Sequence, residues 1–142
     1  MKLLVAVDGS PNALRAVEAA IALLGRVSEA DNRLDLVSVH DPQALHYAVG
    51  VIGEQRIEKF LADASAQDLE AARERVAAAG LASESLVERG PVAPTIGAIA
   101  TRGAYDMLVL GTKGRSNVRD FLMGSVAQRI GATTAVPVLL VR

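Results

Sequence analysis

An uninterrupted apolar run, Leu3 to Val7 (LLVAV), stops abruptly at Asp8-Gly9-Ser10-Pro11. A run that short with no polar alternation suits a strand buried on both faces, which is the situation of a parallel sheet covered by helices. The residues after it read as a helix start: Ser10 as N-cap and Pro11 in the first helical position. Leu14, Val17, Ile21 and Leu24 then recur at helical spacing, with Ala13 and Ala20 beside them, until Gly25. The same alternation continues down the chain. Leu34 to Val39 (LDLVSV) is a second strand, closed by Asp41-Pro42, and His40 to Gly53 reads as a loop. A long helix is expected over Glu54 to Ala79, with Ile57, Phe60, Leu61, Ala64, Asp68, Ala72, Val76 and Ala79 on one mostly apolar side. A third strand near Ser83 to Glu88 is the most polar and belongs at a sheet edge. Then come a helix from Val92 to Arg102, a strand from Asp106 to Leu110, a helix from Gly124 to Thr133 and a last strand from Val136 to Val141. Strict β-α alternation predicts an α/β fold, an open five-stranded parallel sheet with helices on both faces. With 142 residues and no linker or repeat, a single domain over residues 1–142 is expected.

Ligands of open α/β sheets sit beyond the carboxyl ends of the strands, where the strand order reverses. Two such ends carry unusual chemistry here. The first strand delivers Asp8-Gly9-Ser10. The fourth delivers Gly111-Thr112-Lys113-Gly114, and after nine intervening residues Gly124-Ser125 opens a helix. Gly111 and Gly114 are able to take positive φ and let a ligand approach the backbone. Successive N–H groups in such a turn form an anion nest. The unpaired N–H groups at a helix start attract phosphate, and the Ser125 hydroxyl adds a donor. Lys113 and Arg115 bring positive charge. Asp8, an acceptor only when ionised, suits a ribose hydroxyl or an amino group better than a phosphate. Each element also has a plainer reading. The first strand's end is a competent turn and helix cap, and the three glycines are ordinary turn and helix-start residues. Lys113 and Arg115 are ordinary solvated side chains.

Composition removes other classes. Fifteen basic and 16 acidic side chains give a net charge of −1, so there is no electrostatic case for nucleic acid or an anionic membrane surface. Cysteine is absent, excluding disulfides and thiolate chemistry, and the two histidines, His40 and His46, are too few for a histidine zinc site. No window has the apolar length of a membrane span, and Asp8 interrupts the opening run as a signal sequence, so a cytoplasmic protein is expected.

The pattern Gly111-x-x-Gly114, nine residues, Gly124-Ser125 resembles the ATP-binding signature of the universal stress protein family. The opening VAVDGSPNA and the closing SVAQRI and VPVLLVR are similar to that family's two ends, so the resemblance covers essentially the whole chain. It implies a Rossmann-like fold of the adenine-nucleotide alpha hydrolase-like type. All three glycines and the serine of the nucleotide-binding branch are present. By resemblance Asp8 contacts the ribose or adenine side, Val39 meets the adenine through its backbone, and Val7 and Leu110 line the pocket. Gly111, Gly114, Arg115, Gly124, Ser125 and Val126 surround the phosphates. The ligand implied is ATP, alone or with Mg2+.

A Walker A sequence is missing, and so are the HxGH and SGGxDS patterns of nucleotide-transferring enzymes of related architecture. Asp8 is the only metal-directing carboxylate near the site, Asp106 lying at the wrong end of its strand. A nucleotide-dependent regulatory protein with at most slow hydrolysis is therefore expected, against a scaffold that binds no nucleotide. His40 and His46 have no catalytic partner in sequence, and Phe60 and Phe121 read as core or loop anchors. Val136 to Val141 is apolar on both faces yet placed at an edge, an aggregation hazard that a two-fold partner would cover. The family resemblance likewise implies a homodimer through this strand.

Overall fold

The computed structural model describes residues 1–27, 31–45, 53–114 and 123–142. In chain order they form β1 (Lys2–Ala6), α1 (Pro11–Leu24), β2 (Arg33–His40), a 3-10 turn (Pro42–Leu45), α2 (Glu54–Ala78), β3 (Ser85–Arg89), α3 (Val92–Arg102), β4 (Met107–Gly111), α4 (Ser125–Thr133) and β5 (Val138–Val141). All strand pairs are parallel, in the order β3-β2-β1-β4-β5. The expected α/β architecture is present. β1 is central, which is why its run cannot alternate. Leu3, Val5 and Val7 pack into a cluster with Ala16, Val17 and Ala20 of α1 and Leu69, Ala72 and Val76 of α2. Leu4 turns to the other face and packs with Ile96 and Ile99 of α3 and Ile130 of α4.

Element limits follow local chemistry. Ser10 Oγ accepts the Ala13 N–H at 3.2 Å, and Pro11 opens α1. The last strand begins at Val138, two residues later than expected, because Pro137 has no N–H to give to a ladder; its carbonyl still accepts from Leu108 N. His40, read as loop, closes β2, and Pro42–Leu45 of that loop form the 3-10 turn. β3 lies at an edge as its polarity requires, with β5 at the other.

The phase of α2 departs from expectation. Its buried seam is Ile57, Ser65, Leu69, Ala72 and Val76, whereas Phe60, expected on that side, is 66% exposed. At about 100° per residue, Phe60 falls roughly 130° from the middle of this seam. Ile57, Ala72 and Val76 of the expected side are buried, but Phe60 is not, and Ser65 and Leu69 complete the seam instead.

Asp35 interrupts the apolar β2 and is nevertheless buried. Its carboxylate accepts from Arg33 Nε at 2.9 Å, from Tyr105 OH at 2.9 Å and from Glu84 N at 2.7 Å. Three donors offset the cost of taking the charge out of water. The group ties β2 to the approach to β3 and to the turn before β4, at the end of the sheet away from Asp8. Burial, then the hydrogen bond to Asp35, pushes the Tyr105 hydroxyl well above its ordinary range.

Candidate functional site

β1 and β4 are neighbours, but the chain leaves them in opposite senses. From β1 it passes to β2 through α1 on one face; from β4 it passes to β5 through α4 on the other. The crevice opened between two such departures is where an α/β sheet takes a ligand. A cavity of about 560 Å³ lies there. Val7, Asp8, Val39, Leu110, Gly111, Gly114, Gly124, Ser125 and Val126 all line it, so the structure brings together every candidate among the described residues. Arg115, the remaining candidate, lies outside the described residues, as do His46 and Phe121.

The sharp turn after β1 is built from Asp8 and Gly9. Asp8 Oδ1 accepts the Ser10 N–H at 3.0 Å, and Gly9 takes φ 75°. The other carboxylate oxygen faces the loop after β4: a Cβ added to Gly114 would lie 2.7 Å from Asp8 Oδ2. A Cβ on Gly111 would lie 2.9 Å from the backbone of Asn12, in the first turn of α1. Among the described glycines, those with positive φ are Gly9, Gly53, Gly80 and Gly90. Gly111 and Gly114 are therefore required for close approach and not, as their sequence suggested, for a left-handed backbone. For Gly111 the approaching group is the protein's own helix.

Three helix starts adjoin the cavity: that of α3, at Val92 among the apolar residues, has no side-chain cap, and those of α1 and α4, near Asp8 and the loop after β4, differ. At α1 the Ser10 hydroxyl already occupies an N–H. At α4 the N-cap is Gly124, with no side-chain cap and no acid in the first turn. Gly124 N is held by Thr112 O at 2.7 Å, which fixes the helix against the loop after β4. The N–H groups of the first turn beyond it have no intrahelical acceptor, so α4 offers an anion both donors and the positive end of a dipole.

The opposite half of the cavity is apolar. Even-numbered residues of β2 bond toward β3: Leu36 N donates to Glu84 O, and His40 O accepts from Gly90 N. Odd-numbered ones bond toward β1: Arg33 N donates to Met1 O, and Val37 O accepts from Val7 N. Val39 continues the odd series past the point where β1 has turned away, so its N–H and C=O face the crevice. Val92 and Ile96 of α3, with Val37 and Ala6, form the walls around it. Sequence reasoning missed these wall residues, as well as Ala13, Thr112 and Ala127. Val92 and Ile96 are one helical turn apart and apolar, a spacing indistinguishable from ordinary core. Lys113, expected as positive charge at the phosphate-binding surface or as a solvated side chain, lines the cavity and is half-buried. His40 is not among the lining residues; it continues the even series, whose Leu34 and Leu36 pack on the α1 and α2 side.

These features define an α/β protein with a crevice at the switch point of its sheet, apolar at one end and anion-seeking at the other. A sequence profile of the universal stress protein family matches residues 1–142. The chain belongs to the universal stress protein family. It is 26% identical over 148 residues to the universal stress protein YxiE of Bacillus subtilis (strain 168), covering 99% of this chain and 98% of that one. It is 30% identical over 141 residues to the universal stress protein in the QAH/OAS sulfhydrylase 3' region of Thermus aquaticus, covering 99% and 97%. Universal stress protein UspA from Lactobacillus plantarum superposes with a TM-score of 0.83 at 22% identity, covering 100% of this chain and 97% of that one, a likeness of fold. A universal stress protein solved in complex with cAMP superposes at 0.68 with 25% identity, covering 100% and 96%. One from Archaeoglobus fulgidus in complex with dAMP superposes at 0.70 with 19% identity, covering 100% and 98%.

No helix among the described residues is long and apolar enough to cross a membrane.

Proposed function

We propose that this chain is an ATP-binding universal stress protein, a single cytoplasmic domain over residues 1–142 whose state or partner preference is set by the nucleotide. The observation that carries this reading is the crevice itself: an apolar slot with an exposed backbone donor and acceptor at Val39, opposite an uncapped helix start at Gly124. Adenine offers an amino donor beside a ring acceptor, which matches a backbone C=O and N–H; guanine offers an acceptor and a donor in the reverse sense. In this reading the base lies against Val39, Val7 and Leu110. Asp8 takes the ribose side, and Gly111, Gly114, Arg115, Gly124, Ser125 and Val126 surround the phosphates. The cAMP- and dAMP-bound relatives support an adenine nucleotide as the ligand class.

Among the described residues no group of three or more His, Asp or Glu is placed to hold a metal. In this reading Mg2+ travels with the phosphates of ATP. Asp8 alone supplies a carboxylate among the described lining residues, too little for fast phosphoryl transfer, so hydrolysis is slow at most. In this reading the protein is a homodimer, and the apolar edge strand β5 supports that pairing.

Calorimetric titration of nucleotide-stripped protein with ATP and magnesium, and with GTP for comparison, tests the reading. Saturable, adenine-selective binding at a single site per chain is expected. Absence of both heat and thermal stabilisation at millimolar ATP would leave a stress-response scaffold whose glycines serve only packing and turns.

A further inference from the structure

The nucleotide reading gives one charged side chain of the cavity a general positive charge and no particular phosphate. Lys113 stands between Gly111 and Gly114 and lines the cavity, half-buried. Among the described lining residues it is the only cation, and Asp8 the only carboxylate. No described carboxylate forms an ion pair with Lys113. Its backbone is fixed from two sides. Lys113 Cα lies 3.7 Å from the position a Cβ of Gly124 would take, so the residue abuts the start of α4. The next residue, Gly114, abuts Asp8, with 2.7 Å between its Cβ position and Asp8 Oδ2. Lys113 is thus rooted at the junction between the carboxylate assigned to the ribose and the uncapped helix start assigned to phosphate.

We infer that Lys113 pairs with the phosphate attached directly to the ribose, and so discriminates nucleotide from nucleoside whatever the phosphate count. This inference rests on the nucleotide reading of the crevice. A phosphate bonded to the ribose cannot lie far from the Asp8 side; of the two helix starts nearest Asp8, Ser10 fills that of α1 and that of α4 is open, while the open start of α3 lies at Val92, among the apolar walls. An ammonium rooted between the two meets that first phosphate before any later one. Such a group contributes to AMP as much as to ATP and nothing to adenosine.

The test is titration of adenosine, AMP and ATP into the parent protein, Lys113→Met and Lys113→Arg, with thermal unfolding of each variant to establish that it is folded. Lys113→Met is expected to weaken AMP and ATP by the same factor, about tenfold, while adenosine binds as it does to the parent. Lys113→Arg is expected to restore most of the loss, because the charge is retained. A loss confined to ATP would overturn the inference by moving Lys113 to a distal phosphate. Equal weakening of adenosine, or no weakening of any ligand, would overturn it as well. A parent protein that binds none of the three would instead overturn the nucleotide reading, an outcome distinct from a binding parent whose variant is unchanged.

Discussion

Gly114 and Asp8 share a space that admits no further carbon. Gly114→Ala places a methyl group 2.7 Å from Asp8 Oδ2, so the carboxylate must rotate away or the loop must retreat. Either movement disturbs the side of the crevice proposed for the ribose without touching the sheet core. The variant is expected to lose at least about tenfold in ATP affinity, roughly 1.4 kcal/mol, while its thermal midpoint stays near that of the parent. Adding Asp8→Ala should return little of the affinity, since that change also removes the sugar contact proposed for Asp8 and the Ser10 N–H acceptor. Calorimetry on the two variants, with unfolding curves alongside, checks both halves of the claim. The sequence singled out Asp8 and the glycines because their types and spacing are unusual at the ends of apolar runs. It did not distinguish the two glycines. Gly111 yields to Asn12 of the protein's own helix and Gly114 to Asp8, a difference that depends on how closely α1 lies against β4.

Alternating runs were legible at the level of elements because β1, β2 and β4 are buried on both faces and leave no competing periodicity. The phase of α2 was not. That helix is long and polar, so one large side chain dominates any judgement of its apolar face, and Phe60 lies off the seam. Leu69→Ala should therefore destabilise the protein by about 3 kcal/mol, whereas Phe60→Ser should change stability by less than about 0.5 kcal/mol. Denaturant melts that ranked Phe60 above Leu69 would contradict the packing of α2. Asp35 was invisible for a related reason: two of its three partners, Glu84 and Tyr105, come from distant parts of the chain, and only Arg33 is local. The Tyr105 hydroxyl titrates near pH 10 in an unfolded chain, and burial with the Asp35 bond raises it in the folded one. Above about pH 10 the unfolded state therefore releases a proton that the folded state keeps, and stability falls as pH rises through that window. Below it the contribution is intact. Tyr105→Phe removes the titration, so its alkaline unfolding limb should be flatter than the parent's above pH 10, although its stability at neutral pH is lower.

For the molecule as a whole the two sheet edges are unlike. β3 carries Glu88 and Arg89, and Arg89 reaches across to Glu58 of α2 at 2.7 Å. β5 has only Val138, Leu139, Leu140 and Val141, all half-buried, with no charge to repel a neighbouring strand. Its hydrogen-bonding pattern says which groups are open. Leu108 N bonds to Pro137 O and Thr112 N to Val141 O, so odd-numbered residues face β4 and the N–H groups of Val138 and Leu140 point away from the sheet. A second copy of the strand would use those two donors. Proline at position 138 removes one of them while leaving the ladder to β4 unbroken, and edge positions of this kind tolerate proline. Val138→Pro is thus expected to convert a dimer into a folded monomer at tens of micromolar, seen as a fall in sedimentation mass toward the 14.8 kDa of one chain, with an unchanged far-ultraviolet dichroism spectrum. A parent already at that mass would remove the dimer from the proposed function. A variant that remained dimeric would mean that a surface other than β5 joins the two copies, and the exposed Phe60 face of α2 would become the next place to test.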